Sequence, residues 1–63
     1  MRLNIKNFEI ALARKCWEVG DLAAAVGLST SAITRYRTVD NLRPTSVGRI
    51  ARALEVPVEE IVI

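Results

Sequence analysis

The sequence predicts an all-α domain of five short helices, and three observations carry that prediction. Apolar residues recur at spacings of three and four, as one face of a helix requires, in Ile5, Phe8, Leu12 and Cys16 and again in Val47, Ile50, Ala51 and Leu54. Helix-breaking residues punctuate the chain at short intervals, at Gly27, Pro44 and Pro57, which keeps each helix short. Sustained two-residue alternation is missing. Only Met1 to Ile5 alternates polar with apolar, and it reads as a short extended arm.

Each helix has its own local signals. The first is expected from Ile5 to Cys16, with Asn4 as N-cap. The second spans about Val19 to Val26 behind Glu18, a mediocre cap, and stops at Gly27, where glycine takes the left-handed conformation without strain. Ser29 caps a third helix from Thr30 to about Arg37, with Leu28 and Ile33 placed to staple its start to the core. Thr38 to Pro44 is a polar loop ending in Arg-Pro, which favours extended backbone. Thr45 or Ser46 is expected to cap the fourth helix, which continues to about Leu54. Pro57 opens a last short helix, Val58 to about Val62, whose first turn holds Glu59 and Glu60, where the helix dipole favours negative charge.

Sixty-three residues make one domain, and a chain this short buries only about 60% of its unfolded surface. The aromatic residues are Phe8, Trp17 and Tyr36, so aliphatic side chains and alanines must build most of the core. Cys16 is the single cysteine, which excludes an intrachain disulfide, fits a reducing cytoplasm and is expected to serve as a small buried hydrophobe. No apolar run approaches the roughly 20 residues of a membrane span. Met1 to Lys6 leads into no apolar core of a signal peptide. Catalysis finds no support: there is no histidine, no ligand set for a metal, and no glycine-rich phosphate loop. Glu59 and Glu60, adjacent on a helix, point about 100° apart and do not form an acid–base pair. No cofactor and no small-molecule ligand is expected.

The net charge of +2 hides an asymmetry. Residues 29–52 hold five arginines, Arg35, Arg37, Arg43, Arg49 and Arg52, against Asp40 alone, a local charge of +4. The remainder sets Arg2, Lys6, Arg14 and Lys15 against six carboxylates, a charge of −2. Arginine is suited to planar recognition of phosphate and guanine. Charge alone fits a solvated helix face equally well.

The stretch Leu22–Arg37 adds geometry. A glycine after one short helix and a serine cap before the next make a sharp corner between two helices. Close crossing there needs a small side chain on the first helix, which Ala23 supplies, and an apolar return from the second, which Ile33 supplies. Leu22, Val26 and Tyr36 fill the other inward positions. Thr30, Ser31, Thr34 and Arg35 are left facing outward. Short donors and acceptors plus one long fork can enter a major groove and meet base edges. A generic helical hairpin with a glycine corner is the plainer alternative.

On the runs LAAAVGLSTSAITRY, the loop dipeptide RP and IARALEVPVEEIV, the chain resembles the lambda-repressor/Cro-type (XRE-like) helix-turn-helix family of phage and bacterial transcription regulators, from about Ile5 to Val62. The resemblance implies a five-helix lambda-repressor-like DNA-binding domain whose third helix enters the major groove of double-stranded DNA. It implies base reading by Thr30, Ser31, Thr34 and Arg35. It implies phosphate contacts from Ser29, Arg37, Thr38, Asn41 and Arg43, with the backbone of Val19 and Gly20 added at the start of the second helix. It further implies a weak homodimer, strengthened on a palindromic operator, meeting across Pro44, Ser46, Val47 and Val58.

Three positions depart from the family pattern. Val19 stands where a phosphate-gripping glutamine is common. Leu12 and Arg37 stand where an arginine and a glutamate commonly pair, so that pair is expected to be absent and Arg37 free to face phosphate. Glu55 stands where a glycine commonly ends the fourth helix, so that corner is expected to be strained. The function expected is a sequence-specific DNA-binding transcription regulator of the repressor kind. Alternatives are the antitoxin of a toxin–antitoxin pair and a protein-interaction module that reuses the fold without DNA.

Overall fold

The computed structural model describes all 63 residues. Five helices follow in order: α1 (Ile5–Arg14), α2 (Val19–Val26), α3 (Thr30–Tyr36), α4 (Pro44–Leu54) and α5 (Val58–Ile61). Helix α2 packs on α3 and α4, and α5 packs on α1 and α4. The fold is all-α, as the sequence predicts.

Local chemistry sets the starts. The Asn4 side chain accepts a hydrogen bond from the Asn7 N–H and caps α1. Half of a capping box opens α2, where the Asp21 carboxylate accepts from the Glu18 N–H at 2.8 Å. Ser29 Oγ accepts from the Ala32 N–H at 3.1 Å and caps α3. The fourth helix starts earlier than expected. Pro44 is itself the first helical residue and Arg43 takes the cap position without a side-chain bond. Proline's fixed φ suits a first helical position, and its missing N–H would have lacked a partner there anyway.

Three helices end by one device. Beyond α1, the Cys16 and Trp17 N–H groups donate to the carbonyls of Ala13 and Leu12; beyond α2, Gly27 and Leu28 donate to Ala24 and Ala23; beyond α4, Glu55 and Val56 donate to Arg52 and Ala51. This is the Schellman pattern, which needs a left-handed residue at the turn. Those residues are Cys16 (φ 55°), Gly27 (φ 74°) and Glu55 (φ 58°). Only Gly27 adopts that conformation without cost. The strain expected at Glu55 is present. Cys16 corrects the expectation of a longer α1 and of a buried thiol: α1 ends at Arg14, and Cys16 is exposed at the strained turn.

The core comprises thirteen buried apolar residues and no buried polar side chain. Phe8, Leu12, Leu22, Ala23, Ile33, Val47, Ile50, Ala51 and Leu54 belong to it, in line with the helical stripes. Ile5, Val26 and Tyr36 are only half-buried at its edge, and Leu28 is 36% exposed. Ala11 and Ile61 join the core from α1 and α5, and two core residues come from outside the helices, Leu3 and Leu42. The N-terminal arm explains both. Leu3 bridges Val62 in antiparallel fashion, the Asn4 N–H donates to the Ile61 carbonyl and the Ile63 N–H to the Arg2 carbonyl. Met1 exchanges bonds with Leu42, its ammonium donating to the Leu42 carbonyl at 2.9 Å and its own carbonyl accepting from the Leu42 N–H at 2.8 Å. The arm thus fastens the loop before α4 and the C-terminus together, and the two leucines close the core.

Exposed ion pairs tie distant segments. Lys15 reaches Glu55 at 2.7 Å and lies 4.5 Å from the centre of the Trp17 ring. The hydrogen bond from Lys15, with its positive charge, holds the Glu55 carboxyl below its ordinary value of 4.5. A carboxyl whose pKa is lower folded than unfolded adds stability above the unfolded value and loses it as pH falls through the folded one. Wild type and Glu55→Gln should therefore differ in thermal midpoint at neutral pH and converge well below pH 4.5, as scanning calorimetry at stepped pH will read. Replacing Leu3, 1% exposed, by alanine should cost about 2–5 kcal/mol in urea unfolding. Ile63→Ala, at a residue 72% exposed, should stay within about 0.5 kcal/mol of wild type.

Candidate nucleic-acid interface

The corner between α2 and α3 builds the site. Gly27 ends α2 in the left-handed conformation, Leu22, Ala23 and Ile33 are buried beneath the corner, and α3 emerges with its opposite face in solvent. Thr30, Ser31, Thr34 and Arg35 are all exposed on that face. The starts of α2 and α3 lie side by side: a Cβ added to Gly20 would sit 3.9 Å from Thr30 Oγ1. The Val19 and Gly20 N–H groups carry no hydrogen bond within the chain, as the first turn of a helix dictates.

Hydrogen bonding fixes what the short side chains can still offer. Thr34 Oγ1 donates to the Thr30 carbonyl at 3.0 Å, so its free capacity is its lone pairs and its methyl group. Thr38 Oγ1 donates to the Arg35 carbonyl at 3.0 Å and has no proton left for a phosphate oxygen. Ser29 accepts the cap bond and keeps its hydroxyl proton. Thr30 and Ser31 have no side-chain partner in the chain.

A groove of about 320 Å3 brings Arg35, Asn41, Arg43 and Ser46 together with Tyr36, Val39 and Leu42. Sequence reasoning placed three of these in a phosphate and base set and Ser46 in a dimer patch; the chain folds all four around one depression. The dimer patch is corrected at another point. Val47 is completely buried, because α4 turns it into the core together with Ile50, Ala51 and Leu54. Pro44 is exposed, and Ser46 and Val58 are half-buried.

Arg37 is not free, contrary to expectation. Its guanidinium donates to Glu9 at 2.6 Å and lies 6.0 Å from the centre of the Phe8 ring. The cross-helix ion pair is therefore present with its charges exchanged, the acid on α1 and the arginine just past α3. Glu9 lies one turn before Leu12 on α1, and that one-turn offset is the readable signal. The other pairs are Arg2–Asp40 at 3.7 Å, Arg14–Glu60 at 3.1 Å and Lys15–Glu55. Arg35, Arg43, Arg49 and Arg52 have no carboxylate partner. All four lie in residues 29–52, so the charge asymmetry of the sequence survives as unpaired arginine on the folded surface.

A family model described as the Cro/C1-type HTH DNA-binding domain matches residues 7–63. The chain belongs to that family of helix-turn-helix DNA-binding domains. No curated protein and no solved structure matched it. No helix is long and apolar enough to cross a membrane.

The Glu9–Arg37 pair is partly exposed, with side-chain exposures of 57% and 30%. Such pairs couple by about 0.2–1 kcal/mol. A double-mutant cycle with Glu9→Gln and Arg37→Gln should return a coupling in that range, and 0.5 M or so of salt should shrink it as the Debye length falls below about 10 Å.

Proposed function

We propose that this protein is a sequence-specific transcription regulator of the repressor kind, binding a palindromic double-stranded operator as a homodimer with α3 in the major groove. The observation that carries the proposal is the outer face of α3. It holds three hydroxyl residues and one unpaired arginine, with no carboxylate and no large apolar side chain. A solvated helix has no reason to exclude acids, whereas a surface laid on phosphate does.

The division of labour follows from the free groups. Arg35 reads guanine, since its fork meets O6 and N7 together. Thr34, with only lone pairs and a methyl free, suits an amino-group edge or a thymine methyl. Thr30 and Ser31, with free hydroxyls, take base edges at the N-terminal turn of α3. Ser29, Asn41 and Arg43 take phosphate, joined by the Val19 and Gly20 N–H groups. Arg37 takes phosphate with the donors that Glu9 leaves unused, and Glu9 fixes its direction. Thr38, with its hydroxyl and its N–H both donating to the Arg35 carbonyl, has no donor left for phosphate and drops out of this set.

A single small module buries only about 600–1,000 Å2 on DNA. Two copies on half-sites one helical turn apart supply the remaining affinity and symmetry. With Val47 inside the core, the apolar patch left for self-association is small, which favours a weak dimer that forms on the operator. Occupancy of an operator blocks a promoter sterically.

Selection from a random duplex pool near physiological salt tests the reading. A palindrome with half-sites about 10 bp apart is the expected result; retention without enrichment would reduce the activity to nonspecific basic binding. On the selected site, Arg35→Ala should relax preference at one base position by about 1–3 kcal/mol. Arg43→Ala should weaken all sequences alike and lower the slope of log affinity against log salt by about one.

A further inference from the structure

A second groove, of about 400 Å3, opens between the end of α2 and the middle of α4. It is lined by Ala25, Val26 and Ala53 and by Arg49 and Arg52. None of these residues belongs to the α3 face or to the groove that holds Arg35 and Arg43. We infer that this groove is a docking site for an acidic protein segment that presents an aliphatic side chain flanked by carboxylates.

Charge and polarity carry the inference together. Arg49 and Arg52 are exposed, three residues apart on α4 and therefore neighbours on its surface, and neither has a carboxylate partner. No acid lines the groove. Two unpaired arginines one turn apart on α4 match two carboxylates, with which arginine forms its strongest hydrogen bonds. Between them the lining is apolar. Helix α2 has no charged residue after Asp21, and its exposed positions there are Ala24 and Ala25. A surface helix ordinarily keeps its outward face polar. Leu28, three residues beyond Ala25, is one of the exposed large hydrophobic residues of the chain.

The mixed lining selects the occupant. A DNA backbone supplies charge but only the thin edges of deoxyribose, and no aliphatic side chain, to cover Ala25, Val26 and Ala53. In a second copy of this chain the aliphatic residues beside unpaired acids, Val19 between Glu18 and Asp21 and Val58 beside Glu59, pack against that copy's own core, and the exposed Ile10 stands beside Glu9, which is tied to Arg37. A foreign segment bearing Asp or Glu on both sides of a Leu, Ile or Val satisfies both parts of the groove. Because the residues are separate from the α3 face, such a segment and DNA can be held together.

The test is a selection of displayed random 12-residue peptides on the wild-type chain, with counter-selection on the Arg49→Ala/Arg52→Ala variant, whose α3 face is intact. Enrichment of peptides combining acidic with aliphatic residues is expected. The selected peptide should shift the amide resonances of Ala25, Val26 and Ala53. Its affinity should fall at least tenfold when its acids become amides and at least tenfold in the double variant, while binding to duplex DNA changes less than twofold. Circular dichroism checks that the variant folds, with Arg49→Gln/Arg52→Gln as the substitute if it does not. Absence of enrichment, or shifts elsewhere, overturns the inference. Two other results also overturn it: a loss of DNA affinity with a shallower salt slope, which assigns the arginines to phosphate, and a loss of self-association in sedimentation, which assigns the groove to a second copy.

Discussion

The turn at Gly27 is the constraint on which the surface of this molecule depends. Helix α3 has seven residues, too few to persist in water by its own hydrogen bonds. It exists because Ile33 is driven into the core against Leu22 and Ala23, all three nearly inaccessible. That burial demands that the chain reverse within two residues, Gly27 and Leu28, between the end of α2 and the Ser29 cap. A left-handed residue makes this possible, and at φ 74° a glycine does so without strain. With the inward residues of α3 fixed, the direction of Thr30, Ser31, Thr34 and Arg35 follows from helical geometry.

The same Schellman turn recurs at Cys16 and Glu55, where the side chain makes it costly. Packing supplies the compensation. Trp17 and Val56, the residues just past these turns, both lie against the core. At Glu55 the bond to Lys15 adds a link between the ends of α1 and α4. The chain thus tolerates two strained corners because each brings an apolar side chain back onto buried helices.

Electrostatics is organised by subtraction. The acids of α1, the α3–α4 loop, the end of α4 and α5 each take one cation, through Glu9–Arg37, Arg2–Asp40, Lys15–Glu55 and Arg14–Glu60. These pairs lie far apart in sequence and are exposed, so each adds little stability. Their larger consequence is what remains. The arginines without partners line two grooves, one with Arg35 and Arg43 beside α3, the other with Arg49 and Arg52 beside α2. The Glu9–Arg37 pair shows that such a link depends on opposite charge across α1 and α3, whichever helix carries which sign.

Local signals in the sequence determined a great deal here. Helical spacing, Gly27, the Ser29 and Asn4 caps and Pro57 specify five helices and the corner, because each acts over one turn of chain. The outward residues of α3 were legible for the same reason. What the sequence alone did not determine depends on contacts between remote segments. Leu3 and Leu42 enter the core because the N-terminal arm pairs with both the C-terminus and the loop. Val47 is withdrawn from the surface by the way α4 lies on the core, Cys16 is turned outward by a left-handed corner, and Arg37 meets an acid 28 residues before it. Spacing within a helix shows which residues share a face, and only packing decides whether that face meets core, solvent or another charge.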